Sequence, residues 1–332
     1  MILIAYGTRP EWIKIKPIID LLDKKQLPFK LLFTGQHTTL VNERYDLKIT
    51  IPDGSNRLDT IFNGILGNDW IFNDIDKVMV QGDTASAFAV AVAAFHRHIQ
   101  VIHLEAGLRS HDNNNPYPEE LYRTCISRIA TLHFCPTSSN YKNLTEENVH
   151  GKIYITGNTS IDAIMPYKNQ TSSGGGCLIT LHRRENQPIM TEWLTSLNAL
   201  SIKYSNMPFT LIAHPNHNTL QYETAPKLRV IPPISHEAMM NKIVNADILI
   251  SDSGGIQEES SFLHKPLIVC RKATERPEAL GITSFLCSDP QKLEALFDTL
   301  IHTTNGGTSD ECPFGDGHTA EKIIKILYEQ NV

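Results

Sequence analysis

The chain has 332 residues and a formal net charge of −6. That length suits two domains at roughly 100–200 residues each, and the charge argues against a nucleic-acid binder, which needs a basic face. Hydrophobic residues make up 41 %, enough for ordinary globular cores, and no apolar run reaches the roughly 18 residues that would suggest a membrane span.

Six cysteines, Cys125, Cys135, Cys177, Cys270, Cys287 and Cys312, are scattered without a C-x-x-C pair. Most sit in apolar runs and read as core thiols, not as a zinc site or a disulfide framework. Met1 leads straight into an apolar run with no basic leader, so a cytoplasmic protein is expected.

In chain order, short apolar runs predict strands over 2–6, 29–34, 77–80, 101–104, 132–135 and 153–156. A second series covers 178–181, 209–213, 229–231, 247–250, 267–270 and 284–287. Helical patterns lie between them, as at 84–97, 118–129 and 255–263. Such alternation predicts an α/β protein with two Rossmann-like domains, each a parallel sheet covered on both faces. The polar stretch PYKNQTSSGGG over 166–176 reads as a linker. The domains are therefore expected over 1–165 and 177–317. The closing segment 318–332, with a helix over roughly 318–330, is free to pack back on the first.

In open parallel sheets the ligand lies beyond the carboxyl ends of the strands, so the residues just past each strand are informative. The first strand runs into Gly7-Thr8-Arg9-Pro10-Glu11 and a helix through Lys14. This is either an anion site at a helix N-terminus or a plain turn with a surface arginine. The third and fourth strands end in Gln81-Gly82-Asp83-Thr84 and Glu105-Ala106-Gly107, and Pro118-Glu119-Glu120 opens a helix. Any one of these acids alone reads as a helix cap or first-turn acid. Several converging on one cleft would invite proton transfer.

In the second domain His182-Arg183-Arg184-Glu185-Asn186 comes directly after a strand, as does Ser251-Asp252-Ser253-Gly254-Gly255. The arginines suit bidentate phosphate contact, or form a basic corner paired with Glu185. Ser253 and the two glycines make a diphosphate cradle. Glu259, one turn on, can accept hydrogen bonds from ribose hydroxyls.

Together these segments resemble the non-hydrolysing UDP-N-acetylglucosamine 2-epimerase family. The resemblance is carried by GTRPEWIKIKP, TGQH, QGDTASAFA, HLEAGLRS, PYPEELYR, HFCPT, TGNTSIDA, HRREN, SDSGGIQEES, ATERPEA and PFGDG, in family order across nearly the whole chain. It implies a GT-B-like pair of Rossmann-like domains with the active site in the cleft between them. It also implies a homodimer with a UDP-sugar substrate, no cofactor and no metal. The catalytic candidates it implies are Asp83, Glu105, Glu119 and His182. Arg9, Lys14 and Arg123 would lie near the substrate or its phosphates. Ser253, Gly254 and Gly255 would hold the diphosphate and Glu259 the ribose, with Arg183, His214 and Arg276 also on the nucleotide side.

The implied reaction eliminates UDP with loss of the C2 proton to give 2-acetamidoglucal, then adds UDP back with the proton on the opposite face. Two acid/base groups are therefore required. The alternatives left open are a 2-epimerase of a related UDP-linked 6-deoxy or diacetamido sugar, a hydrolysing epimerase, and a silent UDP-sugar binder.

The sequence departs from the family pattern in four places. It is short between Gln36 and Asp59. Thr39 stands where activatable relatives carry a second Gln. Pro233-Ile234-Ser235-His236 replaces a frequent aromatic near the uracil. Tyr122 replaces a frequent Asn before Arg123.

Overall fold

The computed structural model of the protein describes residues 1–37, 43–51, 57–213, 227–302 and 311–329. Runs such as Ile2-Leu3-Ile4-Ala5-Tyr6 are apolar at successive positions, so both faces of the strand must be covered, and all five residues are buried. The chain divides into two compact units. The first comprises Met1–Ala163 with Phe314–Val332, and the second Ile164–Pro313.

In the first unit the described strands are β1 (Ile2–Tyr6), β2 (Phe29–Phe33), β3 (Leu47–Lys48), β4 (Lys77–Gln81), β5 (Gln100–Leu104), β6 (Leu132–Cys135) and β7 (Lys152–Ile155). They form one parallel sheet in the order β3-β2-β1-β4-β5-β6-β7. Helices α1 (Arg9–Lys24), α2 (Arg57–Leu66), α3 (Ala85–His96), α4 (Glu119–Ile129) and α5 (Ser138–Glu146) cover it, with the short α6 (Thr159–Ile164) after them. One face packs on α2, α3 and α4 through residues such as Ile61, Ile65, Val90 and Ile126. The other packs on Ile15, Ile18, Ile19 and Leu22 of α1, and on Ala320, Ile323, Ile324 and Leu327 near the chain's end.

In the second unit β8 (Cys177–Thr180), β9 (Phe209–Ile212), β10 (Arg229–Ile231), β11 (Ile248–Ser251), β12 (Leu267–Val269) and β13 (Ser284–Leu286) form a parallel sheet in the order β10-β9-β8-β11-β12-β13. Its helices are α7 (Met190–Lys203), α8 (His236–Asn245), α9 (Gly254–Phe262) and α10 (Leu293–His302). Trp193, Leu197 and Phe297 anchor its core. The last helix, α11 (Thr319–Glu329), belongs to the first unit.

All twelve apolar runs expected to be strands are strands. The addition is β3, two residues at a sheet edge, too short to leave a hydrophobic pattern. The Ser- and Gly-rich segment carries a 3-10 helix over Met165–Gln170. It is then fastened to the second unit: Gly174 and Gly176 N–H donate to Asp247 at 2.6 and 2.9 Å, and Lys265 Nζ donates to the Ser172 carbonyl at 2.6 Å.

Each sheet reverses its winding once, between β1 and β4 in the first and between β8 and β11 in the second. A crevice opens at the carboxyl ends of such strand pairs. The residues after β1 and β4 are Gly7-Thr8-Arg9 and Gly82-Asp83, and those after β8 and β11 are His182-Arg183 and Asp252-Ser253-Gly254. The topology thus delivers the chemically loaded segments to the two crevices.

Candidate active site

The turn after β1 is built around Glu11. This buried carboxylate accepts N–H bonds from Gly7 (3.0 Å) and Thr8 (2.7 Å), and hydroxyl bonds from Thr8 (2.8 Å) and Thr84 (2.7 Å). Thr8 closes the capping box by accepting from Glu11 N–H. Burial pushes the Glu11 carboxyl above its usual range, against those hydrogen bonds. Gly7 has no room for a side chain, because a Cβ there would sit 2.3 Å from both the Ser86 and Thr34 hydroxyls. Two of the N–H groups expected to meet an anion are therefore committed to Glu11. The cation this turn presents is the exposed Arg9.

Glu105 comes just after β5 with φ +59°, a left-handed conformation that costs a non-glycine residue roughly 1–2 kcal/mol. Its side chain is 6 % exposed, and both oxygens are occupied. Lys14 Nζ donates to them at 2.7 and 2.6 Å, Gln81 Nε2 at 2.6 Å and Asn158 Nδ2 at 3.0 Å. Three elements thus hold one carboxylate, with the Lys14 ammonium as counter-charge. The preceding turn is pinned as well. His103 Nε2–H donates to the Gly82 carbonyl at 2.8 Å, and desolvation lowers the pKa of this buried ring to about 3, keeping it neutral.

Asp83 is not the cap of α3. That role falls to Thr84, whose hydroxyl accepts from Ala87 N–H. Asp83 instead pairs with Arg123. Arg123 also lies 3.2 Å from Glu120 Oε2, and Glu120 accepts the backbone N–H groups of Ser110 and His111 at 3.0 Å. Glu120 is therefore a fastener of the 110–111 turn. Its neighbour Glu119 has a buried Oε2 with no hydrogen-bond partner among the described residues, so this acceptor stays open.

In the second unit Asp252 gathers the segment after β8. It accepts from the N–H groups of His182 and Arg183 and from Asn186 Nδ2, and it lies 3.0 Å from His182 Nδ1. Ser253 caps α9 without a side-chain cap bond. Gly254 must be glycine, because a Cβ would come within 2.5 Å of Arg276 Nη1. Arg276 itself is buried, donating to Glu258 and Glu275 at 2.5 Å each. Glu275 also pairs with Arg271 at 2.7 Å, and Arg271 with Glu185 at 3.0 Å. Glu185 thus serves Arg271, while Arg183 Nη2 lies 3.9 Å from Glu275. Glu259 stands 3.5 Å from His236 Nε2.

The geometry brings Lys14 to Glu105, Arg123 to Asp83, and His182 to the Ser253–Gly255 turn through adjacent strands. His214 and Thr39 lie outside the described residues. Sequence reasoning missed Gln81, Asn158, Glu120, Asp252, Glu258 and Glu275. All six lie in motifs it had quoted, but Gln81, Asn158 and Asp252 act on partners distant in sequence. Among the described residues no group of three or more His, Cys, Asp or Glu side chains is placed to hold a metal ion, and no helix is long and apolar enough to cross a membrane.

Two winding-reversal sheets, one ending in clustered carboxylates and the other opening a glycine-started helix, define a GT-B-like enzyme of nucleotide-sugar chemistry. The chain matches the family described as UDP-N-acetylglucosamine 2-epimerase over residues 20–328. It is 33 % identical to the UDP-N-acetylglucosamine 2-epimerase of Campylobacter jejuni, over 98 % of this chain and 97 % of that one. The Neisseria meningitidis serogroup A enzyme of the same name is likewise 33 % identical, over 98 % of each. The crystal structure of a Neisseria meningitidis UDP-GlcNAc 2-epimerase bound to UDP-GlcNAc superposes with a TM-score of 0.89 at 30 % identity, over 99 % of both chains. That of the Methanocaldococcus jannaschii enzyme in complex with UDP-GlcNAc and UDP gives 0.85 at 28 % identity, again over 99 % of both. The chain belongs to the UDP-N-acetylglucosamine 2-epimerase family, and is an isomerase of that family.

Proposed function

We propose that the protein interconverts UDP-N-acetylglucosamine and UDP-N-acetylmannosamine by eliminating and re-adding UDP. The observation that carries this reading is the Glu105 carboxylate, held in a left-handed turn by Lys14, Gln81 and Asn158. A strained, nearly buried acid with an ammonium as its counter-charge is suited to proton transfer at carbon.

In the forward step a carboxylate takes the C2 proton. The C2–H electron pair becomes the C1=C2 bond of 2-acetamidoglucal, and the C1–O pair leaves on the β-phosphate oxygen of UDP. On return, UDP adds to C1 while an acid delivers a proton to the other face of C2. Glu105 serves one face. Glu119, with its open acceptor, and Asp83, tied to Arg123, are the candidates for the other. Arg9, Lys14 and Arg123 supply positive charge on this side. On the nucleotide side the Ser253–Gly254–Gly255 helix start and His182 meet the diphosphate, where fixed dipoles and cations stabilise the departing charge. Arg183 and Arg276 support that side, and Glu259 takes the ribose.

We assign the protein to the cytoplasm as a homodimer, a state that light scattering on the purified chain measures directly. The reaction is tested by incubating the protein with UDP-N-acetylglucosamine in deuterated water. Deuterium should enter C2 as the manno epimer accumulates, with UDP retained on the sugar. Stoichiometric free UDP with free N-acetylmannosamine would replace this reading with hydrolysis, and neither product would end it.

A further inference from the structure

Asp252 lies after β11 and His182 after the neighbouring strand β8. The register pairs Ser251 with Thr180, so the two side chains meet. Asp252 is 0 % exposed. Its Oδ1 lies 3.0 Å from His182 Nδ1 and 3.1 Å from His182 N, and its Oδ2 accepts from His182 N (3.0 Å), Arg183 N (2.9 Å) and Asn186 Nδ2 (2.9 Å). Asn186 is itself gripped: its Nδ2 also donates to the Cys270 carbonyl at 2.9 Å, and Trp193 Nε1–H donates to its Oδ1 at 3.1 Å.

This geometry fixes two protonation states. Oδ2 accepts from three N–H groups and Oδ1 from the His182 backbone N–H, and these donors favour the anionic carboxylate. Burial pushes the Asp252 carboxyl up, but His182, the Arg183 N–H and Asn186 together hold it below its ordinary range. An ionised carboxylate only accepts, so Nδ1 of His182 carries the hydrogen between them. Nε2 is then the ring atom at which His182 gains or loses its proton.

We propose that Asp252 is a positioning residue of the reaction: it locks the His182 ring in the Nδ1–H tautomer and fixes its orientation, so that Nε2 is the ring atom His182 presents to the diphosphate. This rests on the UDP-sugar reading of the site. His182 and the Ser253–Gly255 turn come after adjacent strands, so the imidazole and the backbone donors lie on the same edge of the sheet. Among the described residues, other ionisable groups flank the pair. Arg183 belongs to the same turn. Cys270, at the end of β12, is buried, and its thiol is pushed well above its usual range first by burial and then by the charge of Asp252. Beside it Arg271 pairs with Glu185 and Glu275, and Glu275 also with Arg276.

The test has two readouts. In ligand-free wild-type protein labelled with 15N-histidine, and assigned by comparison with His182→Gln, the His182 ring should show the Nδ1–H tautomer in its neutral form, and Asp252→Asn should lose that preference. In turnover of UDP-N-acetylglucosamine, Asp252→Asn should lower kcat roughly 100-fold or more above neutral pH. The shape of its kcat–pH profile should change while KM stays within a few-fold at pH 6. An Nε2–H tautomer in the wild type overturns the proposal. So does an Asp252→Asn variant slowed by one constant factor at every pH, the mark of a merely structural carboxylate. The tautomer is read without substrate in the wild-type protein, with His182→Gln serving only to assign the signal, so its failure is separable from failure of the UDP-sugar reading, which the deuterium experiment decides.

Discussion

The carboxylates of the first unit and the ion chain of the second are built to opposite ends. Glu105 is held by an ammonium and two amides, Glu119 keeps an open buried oxygen, and the Glu105 turn stores left-handed strain. In the second unit Glu258, Arg276, Glu275, Arg271 and Glu185 alternate in sign, and every neighbour in that series is paired within 3.0 Å. A closed chain of charges holds shape, whereas an acid with a removable partner can exchange protons. The difference separates the region suited to proton chemistry from the region suited to gripping an anion.

The comparison predicts unequal responses to small changes. The largest is Glu105→Gln, which keeps the shape and one of the two amide contacts but removes the base. Deuterium entry at C2 should fall by about 10³–10⁴-fold, while calorimetric UDP affinity changes little. Normal exchange in that variant would remove Glu105 from the chemistry. Next is Glu258→Ala, which strands the buried Arg276 charge and should cost about 3 kcal/mol of stability in denaturant melts. A loss below about 1 kcal/mol would mean the ion chain is not closed.

The third prediction concerns pH. His103 has its folded pKa lowered to about 3, against about 6.5 unfolded. Between those values the unfolded chain binds a proton that the folded one refuses, so stability falls as pH drops below 6.5. The loss between pH 7 and pH 5 should be about 2 kcal/mol. In His103→Gln, stability measured at the two pH values should differ by that much less. An unchanged slope would place the protonation elsewhere.

Much of this was legible in the sequence because continuous apolar runs such as 77–80 and 248–250 leave a strand no alternative to burial on both faces. The residues immediately beyond each strand then mark the ligand edge. The choice within Glu119-Glu120 was open to sequence only through the family resemblance. One acid faces the Ser110 N–H and the other does not, and nothing local separates them. Gln81, Asn158 and Asp252 escaped for a similar reason. Asn158 lies 53 positions from Glu105, and Asp252 lies 70 from His182. Neutral amides and a lone Asp before Ser-Gly-Gly carry no periodic or charge signal of their own. The Glu11 turn shows the converse. Its Thr-x-x-Glu spacing announces a capping box, and that box uses up N–H groups which a Gly-Thr-Arg turn otherwise offers to an anion.

Helix α11 supplies Ala320, Ile323, Ile324 and Leu327 to the face of the first sheet that α1 also covers. During vectorial synthesis the ribosome releases those residues only after the whole of Ile164–Pro313. The amino-terminal half thus emerges with an apolar flank that α1 covers only in part, and the rest waits for a helix made after the entire second unit. A nascent chain stalled before residue 319 would expose that flank to chaperones and proteases.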